Sequence, residues 1–274
     1  MSQPTLTLLR EGPLVRVTMA RPESRNAFNP AMIAELTQAF TDLTAAATED
    51  DPSGEGPRVV LLSGEGRVFS AGADLEWMRS MAGYALEDNL ADAMRLAALF
   101  RAIRDCPLPV LARVQGAAMG GGSGLVAACD IAVAAEGAVF AFSEARLGIV
   151  PAVISPFVLP KIGSGAAREL FLTGERFDAR RALAIGLINR VVPESELDAA
   201  IAERLSALLA AAPGAQSAIK RLIPYVASEG DSPASRAFTA RLIADRRASR
   251  EGQEGMAAFL ERRPPSWAAS EGSA

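Results

Sequence analysis

Apolar and polar residues alternate in two short runs near the N-terminus, residues 5–10 and 14–19, on either side of Glu11-Gly12-Pro13. That spacing predicts a β-hairpin. The period then lengthens: Met32, Ile33, Leu36, Phe40 and Leu43 share one face of a helix over residues 31–47, with Pro30 at its first turn. A loop at 49–57 leads into Val59-Val-Leu-Leu62, a short apolar run that reads as a buried strand. Residues 75–81 follow a turn at Ala73-Asp74, and a long helical pattern runs from about 85 to 103. Pro107 and Pro109 stop that helix, and residues 110–114 supply another strand.

Residues 120–129 read as a buried helix opened by small residues, and 131–134 and 138–142 as short strands around Glu136-Gly137. Alternating strands and helices predict an α/β fold with much parallel pairing. The strands are too short and unevenly spaced for a simple doubly wound sheet. From Gly163 the pattern becomes mostly helical, at 166–172, 179–183, 194–211, 215–226, 234–248 and 253–261, with one strand near 188–192. The Pro-, Ser- and Ala-rich segment 264–274 is expected to be mobile at its end.

Two turns stand out chemically: Phe69-Ser-Ala-Gly-Ala-Asp-Leu75 and Gly120-Gly-Gly-Ser-Gly124. Each joins an apolar, strand-like approach to small residues that open an apparent helix. Such turns leave backbone N–H groups without partners. Two of them facing each other could hold one oxygen between two donors, although either alone also reads as an ordinary turn or a close backbone contact. The reactive group to set beside them is Glu144, which follows an apolar strand. Desolvation there would raise its pKa and suit it to proton transfer. Pairing with Arg146 or another neighbour is the alternative.

Composition narrows the chemistry. Histidine is absent, which removes Ser-His-Asp and Cys-His catalysis and the HExxH zinc helix. The net charge of −4 gives no global basic field for nucleic acid. Lys161 and Lys220 are the only lysines among 28 basic residues. Cys106 and Cys129 are isolated and read as buried hydrophobes in a reducing compartment. No Walker A or GxGxxG pattern occurs, and Ser217-Ala-Ile-Lys220 lacks the companions of an SxxK site. The N-terminal residues lack a signal-peptide pattern, and the uncharged run 114–129 is shorter than the roughly 20 residues that span a bilayer. A cytoplasmic protein acting without membrane or nucleic acid is expected.

The sequence resembles the enoyl-CoA hydratase/isomerase (crotonase) family along nearly its whole length. The resemblance rests on Ala20-Arg-Pro-Glu-Ser-Arg-Asn-Ala-Phe-Asn29, Val68-Phe-Ser-Ala-Gly-Ala-Asp-Leu75, Gly116-Ala-Ala-Met-Gly-Gly-Gly122, Ala128-Cys-Asp-Ile-Ala132 and Phe142-Ser-Glu-Ala-Arg-Leu-Gly-Ile-Val-Pro151. Leu172-Thr-Gly-Glu-Arg-Phe177 and Ala184-Ile-Gly-Leu-Ile188 complete it. It implies a crotonase-like spiral of ββα units over residues 1–200, carrying an acyl-CoA site. A helical oligomerisation region with a mobile tail would occupy 201–274, and the assembly would be a homotrimer or a hexamer of paired trimers. Coenzyme A enters as part of the substrate, and no metal or prosthetic group is implied.

By the same resemblance, Glu144 is the catalytic carboxylate, and the N–H groups of Ala73 and Gly121 grip the thioester oxygen. Arg25 is placed near the phosphates of coenzyme A. Ala27, Ser70, Ala71, Asp74 and Leu75 join it in binding, as do Ala117, Gly120, Gly124 and Ser143. The family's best-known hydratases carry a second glutamate where this chain has Gly124. A single carboxylate is also the pattern of its Δ3,Δ2-enoyl-CoA isomerases. Phe69-Ser-Ala-Gly-Ala-Asp-Leu-Glu-Trp-Met-Arg79, Leu125-Val-Ala-Ala-Cys-Asp130 and Val150-Pro-Ala-Val-Ile-Ser-Pro-Phe-Val158 look like the bacterial methylglutaconyl-CoA hydratase branch. Members of that branch can lack the first glutamate. The branch implies hydration of a branched acyl group with a distal carboxylate, for which Arg79 and Arg146 are candidate partners. The expected activity is enoyl-CoA hydration, with isomerisation and non-catalytic acyl-CoA binding as the alternatives.

Overall fold

The computed structural model describes residues 4–47 and 56–268. The loop expected at 49–57 and the tail beyond 268 therefore lie largely outside the described residues. Strands β1 (Leu6–Glu11) and β2 (Leu14–Met19) form the expected hairpin, and helix α1 (Pro30–Ala46) follows. Asn29 caps α1 by accepting from the Met32 amide at 2.8 Å, and Pro30 supplies a preset φ in the first turn. Strand β3 (Val59–Gly64), helices α2 (Leu75–Met81) and α3 (Leu86–Asp105), then strands β4 (Val110–Val114) and β5 (Ala117–Met119) lead to helix α4 (Gly121–Ala128). Strands β6 (Ile131–Ala135) and β7 (Val139–Ala141) precede a 3-10 turn at Ser143–Leu147 and helix α5 (Ser155–Thr173).

The C-terminal part contains strand β8 (Arg176–Asp178), helix α6 (Ala179–Ala184) and strand β9 (Arg190–Val192). Helices α7 (Leu197–Ala210), α8 (Pro213–Glu229), α9 (Pro233–Ala248) and α10 (Arg250–Glu261) follow. Six strands form one sheet in the order β1-β2-β3-β4-β6-β9, parallel except for the hairpin. Strands β5, β7 and β8 form a second sheet, with β5 and β7 parallel. Each turn from β4 to β5 to α4, and from β6 to β7 to α5, gives one strand to each sheet. That is the ββα spiral the sequence led us to expect.

The apolar run in β3 follows from its place in the middle of the large sheet. Val60 and Leu62 face the main core with Phe40, Phe100 and Phe140, whereas Val59 and Leu61 face a second cluster with Leu197, Ile201 and Leu205 of α7. Burial on both faces removes the polar half of the usual strand alternation.

Two differences from the sequence reading have local causes. Helix α5 begins at Ser155, ahead of Gly163, because Pro156 occupies its first turn, where a missing N–H costs little. It then kinks at Gly163, whose φ of +70° and ψ of 166° leave the helical region. Strands β5 and β8 have three residues each, too few to establish a period-two pattern.

Helices α8 to α10 are fastened to the core by polar clamps. Arg58 donates to the carbonyls of Trp267, Leu209 and Ala211 at 2.6, 2.7 and 3.0 Å. Lys220 on α8 reaches the Asp130 carboxylate at 2.6 Å and the Leu108 carbonyl at 3.0 Å. Glu251 accepts from the Gly214 and Ala215 amides that open α8, and pairs with Arg246. Among the described residues, no helix is long and apolar enough to cross a membrane.

Removing one partner of a largely buried ion pair leaves the other poorly solvated. Lys220→Met should therefore lower the stability by about 2 kcal/mol in thermal or urea unfolding. An unchanged midpoint would show that Lys220 does not dock α8.

Candidate active site

The two small-residue turns meet through main-chain pairing. Ser70 forms a parallel bridge with Ala118: its N–H donates to the Ala117 carbonyl at 3.0 Å, and its carbonyl accepts from Met119 at 3.0 Å. Phe28 forms a second parallel bridge with Ala73, through its N–H to the Gly72 carbonyl (2.6 Å) and its carbonyl from the Asp74 amide (2.8 Å). Successive amides along an extended chain point to opposite sides. The Ala73 N–H therefore faces away from Phe28, and no main-chain acceptor takes it.

Gly72 can occupy this junction because its φ is +87° and it has no side chain. A Cβ there would lie 2.7 Å from the Met119 carbonyl oxygen.

On the other side, Gly120 has φ +51° and donates to Ala141 at 2.9 Å, which turns the chain into α4. The Gly121 N–H begins that helix, where no residue one turn earlier can accept it. A Cβ on Gly121 would meet the Phe28 ring at 2.6 Å, and one on Gly122 would meet the Ser70 carbonyl at 2.7 Å. Buried Ser123 reaches the carbonyls of Ala118 and Ala141 at 2.7 and 3.1 Å, tying the first turn of α4 to strands β5 and β7.

Glu144 enters from the strand next door. Met119 and Ala141 are register partners in β5 and β7, so the 3-10 turn after β7 lies beside Gly120. The Glu144 Oε1 is 3.3 Å from where a Gly120 Cβ would stand. Its Oε2 is buried with no hydrogen-bond partner among the described residues. Burial pushes the carboxyl above the ordinary carboxylate range, so it is a stronger base once ionised. The alternative of a pair with Arg146 is not what the chain forms. The Arg146 Nε donates to the Thr173 carbonyl at 3.0 Å, and its stem packs on Gly174.

Asp74 behaves differently from Glu144. Burial acts to raise its pKa, but the Glu76 amide, the Arg21 guanidinium at 2.9 Å and the Trp77 amide outweigh it and hold the carboxyl low. It caps α2 and is already paired, so its place is structural support beside Ala73.

The remaining expected residues differ in burial and position. Ala27, Ser70 and Gly124 are buried. Ala71 pairs with the Arg25 carbonyl at 2.9 Å, while the Arg25 side chain is exposed. Ala117, Gly120 and Ser143 lie along the β5–β7 junction. Leu75 is 69% exposed, and Leu147, Ile149 and Val150, which follow Glu144 in sequence, are also exposed. Arg79 is exposed on α2.

At Gly124 the structure shows why no second carboxylate stands there. A Cβ would lie 2.4 Å from the Ile154 Cγ2 and 3.1 Å from the Phe100 ring. Sequence reasoning missed Ile154, Phe28 and Ser123, since apolar and small residues carry no chemical signal until their neighbours are known.

Two backbone amides without main-chain acceptors among the described residues, with a desolvated carboxyl beside them, are groups able to hold an oxygen and to move a proton. The comparisons agree with that class. The enoyl-CoA hydratase/isomerase family matches residues 10–270. A crystal structure of an enoyl-CoA hydratase from Shewanella pealeana superposes with a TM-score of 0.90 at 39% identity, covering 97% of each chain. Pseudomonas aeruginosa AtuE superposes with a TM-score of 0.89 at 34% identity, covering 96% of this chain and 99% of its own. The mouse mitochondrial enoyl-CoA hydratase domain-containing protein 3 is 33% identical over 274 residues, 97% of this chain and 85% of its own. The chain belongs to the enoyl-CoA hydratase/isomerase family.

Two measurements test this geometry. Gly124→Ala should cost about 1–3 kcal/mol through overpacking against Ile154, read by thermal unfolding; a neutral effect would mean the wall is soft.

Glu144 has a raised pKa in the folded state. The stability it contributes is complete below its unfolded pKa and is lost as pH rises through the folded value. Glu144→Gln should therefore be more stable than the wild type at pH 8, with the advantage shrinking towards pH 4. A variant less stable at pH 8 would contradict a desolvated carboxylate.

Proposed function

We propose that the chain adds water across the double bond of a 2-enoyl-CoA thioester. The observation that carries this reading is the Glu144 carboxyl beside Gly120, one residue from the unpaired Gly121 amide and across the junction from Ala73. In the proposed reaction the Ala73 and Gly121 N–H groups hold the thioester oxygen. The Glu144 carboxylate takes a proton from water as the water oxygen bonds to C3. The C2–C3 π electrons move towards C1, and the thioester oxygen takes up negative charge between the two donors. The proton held by Glu144 then passes to C2, the carbonyl re-forms, and a 3-hydroxyacyl thioester leaves. One such donor is worth about 3 kcal/mol to a transition state.

One carboxylate carries both proton transfers in this scheme. Gly124 offers no side chain, and Ile154 and Phe100 fill the space around it. The same arrangement supports a second reading, in which Glu144 moves a proton from C2 to C4 and shifts a 3-enoyl double bond. A branched acyl group with a distal carboxylate, of the methylglutaconyl type, is the substrate we favour, with Arg79 the freer of the two candidate arginines. Exposed apolar side chains on the last helices, among them Ile219, Ile223, Phe259 and Leu260, support assembly as a trimer or paired trimers. A cytoplasmic setting goes with this reading.

Glu144→Ala should reduce turnover by roughly 10²–10⁴-fold while leaving the assembly intact, the usual weight of a positioned acid–base group. Near-normal turnover by folded variant would overturn the assignment. The substrates to compare are crotonyl-CoA, a 3-enoyl-CoA and 3-methylglutaconyl-CoA, with products separated by mass. Hydration adds one water, isomerisation conserves mass, and binding without any product would leave an acyl-CoA binder.

The pH–rate profile should fall on the acid side through the raised Glu144 pKa and stay level above it, because only the ionised form accepts the proton from water. A bell would require a second titrating group.

A further inference from the structure

Both lysines of this arginine-rich chain converge on one place, the C-terminal end of α4. Lys220 takes the Asp130 carboxylate just beyond the helix. Lys161, from α5, points its Nζ at the helix itself, donating to the Cys129 carbonyl at 2.7 Å and the Val126 carbonyl at 3.3 Å. These carbonyls belong to the set that an α-helix leaves without internal partners. Residues Gly122 to Ala128 are all buried, so solvent does not satisfy that end.

Helix α4 depends on such support more than most. It has eight residues, three of them glycine, and no side-chain N-cap. At its near end the Gly120–Ala141 hydrogen bond and the Ser123 hydroxyl fix the first turn. At its far end Lys161 is, among the described residues, the side chain that reaches its carbonyls. A compact ammonium with three rotatable donors can bridge two carbonyls in a buried gap where the planar guanidinium fork would demand more room. Gly186 packs against the Lys161 main chain, since a Cβ there would lie 2.8 Å from the Lys161 carbonyl oxygen.

We propose that Lys161 is a positioning residue for the reaction: by anchoring the carbonyl end of α4 it fixes where the Gly121 N–H points at the other end. The inference rests on the reading that Ala73 and Gly121 hold a thioester oxygen. A rigid rod about 12 Å long transmits a loose far end to its near end as rotation and axial slip. A displaced donor weakens transition-state stabilisation, while coenzyme A binding elsewhere is little affected.

The test is the infrared carbonyl stretch of butanoyl-CoA, isotope-labelled at the carbonyl carbon, bound to the enzyme and its variants. Wild-type enzyme should lower the stretch relative to free butanoyl-CoA. In Lys161→Met the band should return part of the way to the free value, and kcat on crotonyl-CoA should fall about 10-fold with KM changed less than about twofold. Lys161→Gln, which keeps a donor on a shorter stem, should lie between the two, and it decides the matter if the methionine variant does not fold. Lys220→Met, which loosens the docking of α8, should leave the band where the wild type has it.

A folded Lys161 variant with an unmoved band and wild-type kcat overturns the inference, and so does a band that Lys220→Met moves equally. An unshifted carbonyl in the wild-type enzyme overturns the reading of the hole itself, and this inference with it.

Discussion

Close approach of backbone to backbone between residues 70–73 and 118–122 governs the rest of this structure. Gly72 lies against the Met119 carbonyl, Gly122 against the Ser70 carbonyl, and Gly121 against the Phe28 ring, each nearer than a Cβ would allow. The Ser70–Ala118 bridge joins the two segments, the Phe28–Ala73 bridge fixes the first of them from its other side, and among the described residues no main-chain acceptor takes the Ala73 amide. Any larger side chain at these glycines would push the segments apart and lose the convergence of the donors. The site is therefore made by what is missing from the side chains, and its donors are main-chain groups held by the fold.

The same logic extends to the carboxyl. Strand β7 pairs with β5, so Glu144 arrives beside Gly120 whatever its own side-chain preferences. Burial of Glu144 raises its pKa, whereas Asp74, the residue next to Ala73, is held low by three donors. Two carboxylates near one junction are thus given different tasks by their partners. The cost of keeping Glu144 desolvated falls on stability, which is common where a reactive group must remain reactive.

Much of this was legible in the chain. The hairpin, α1, β3, β4 and the helical final third followed from periodicity, because each is long enough or amphipathic enough to show its period. The two glycine turns and Glu144 were legible because small-residue clusters and a carboxylate after an apolar strand are locally unusual. Strands β5 and β8 were not, since three residues carry no period and their pairing partners are distant in sequence. The start of α5 carried no plain helical signal, because it holds Pro156 in its first turn and Pro160 in its interior. Ile154 and Lys161 had no signal of their own. What each contributes depends on a contact with α4, at Gly124 and at Cys129, that only the fold creates.

The proposed reaction requires one oxygen to be held by the Ala73 and Gly121 amides with the Glu144 carboxyl beside it. A crystal structure with a bound, unreactive acyl-CoA tests this most directly. The thioester oxygen should lie within hydrogen-bonding distance of both amides, about 2.7–3.1 Å, with C2 facing the Glu144 carboxyl. An acyl-CoA bound with its thioester oxygen away from these amides, or with another titratable side chain nearer to C2 or C3 than Glu144, would contradict it.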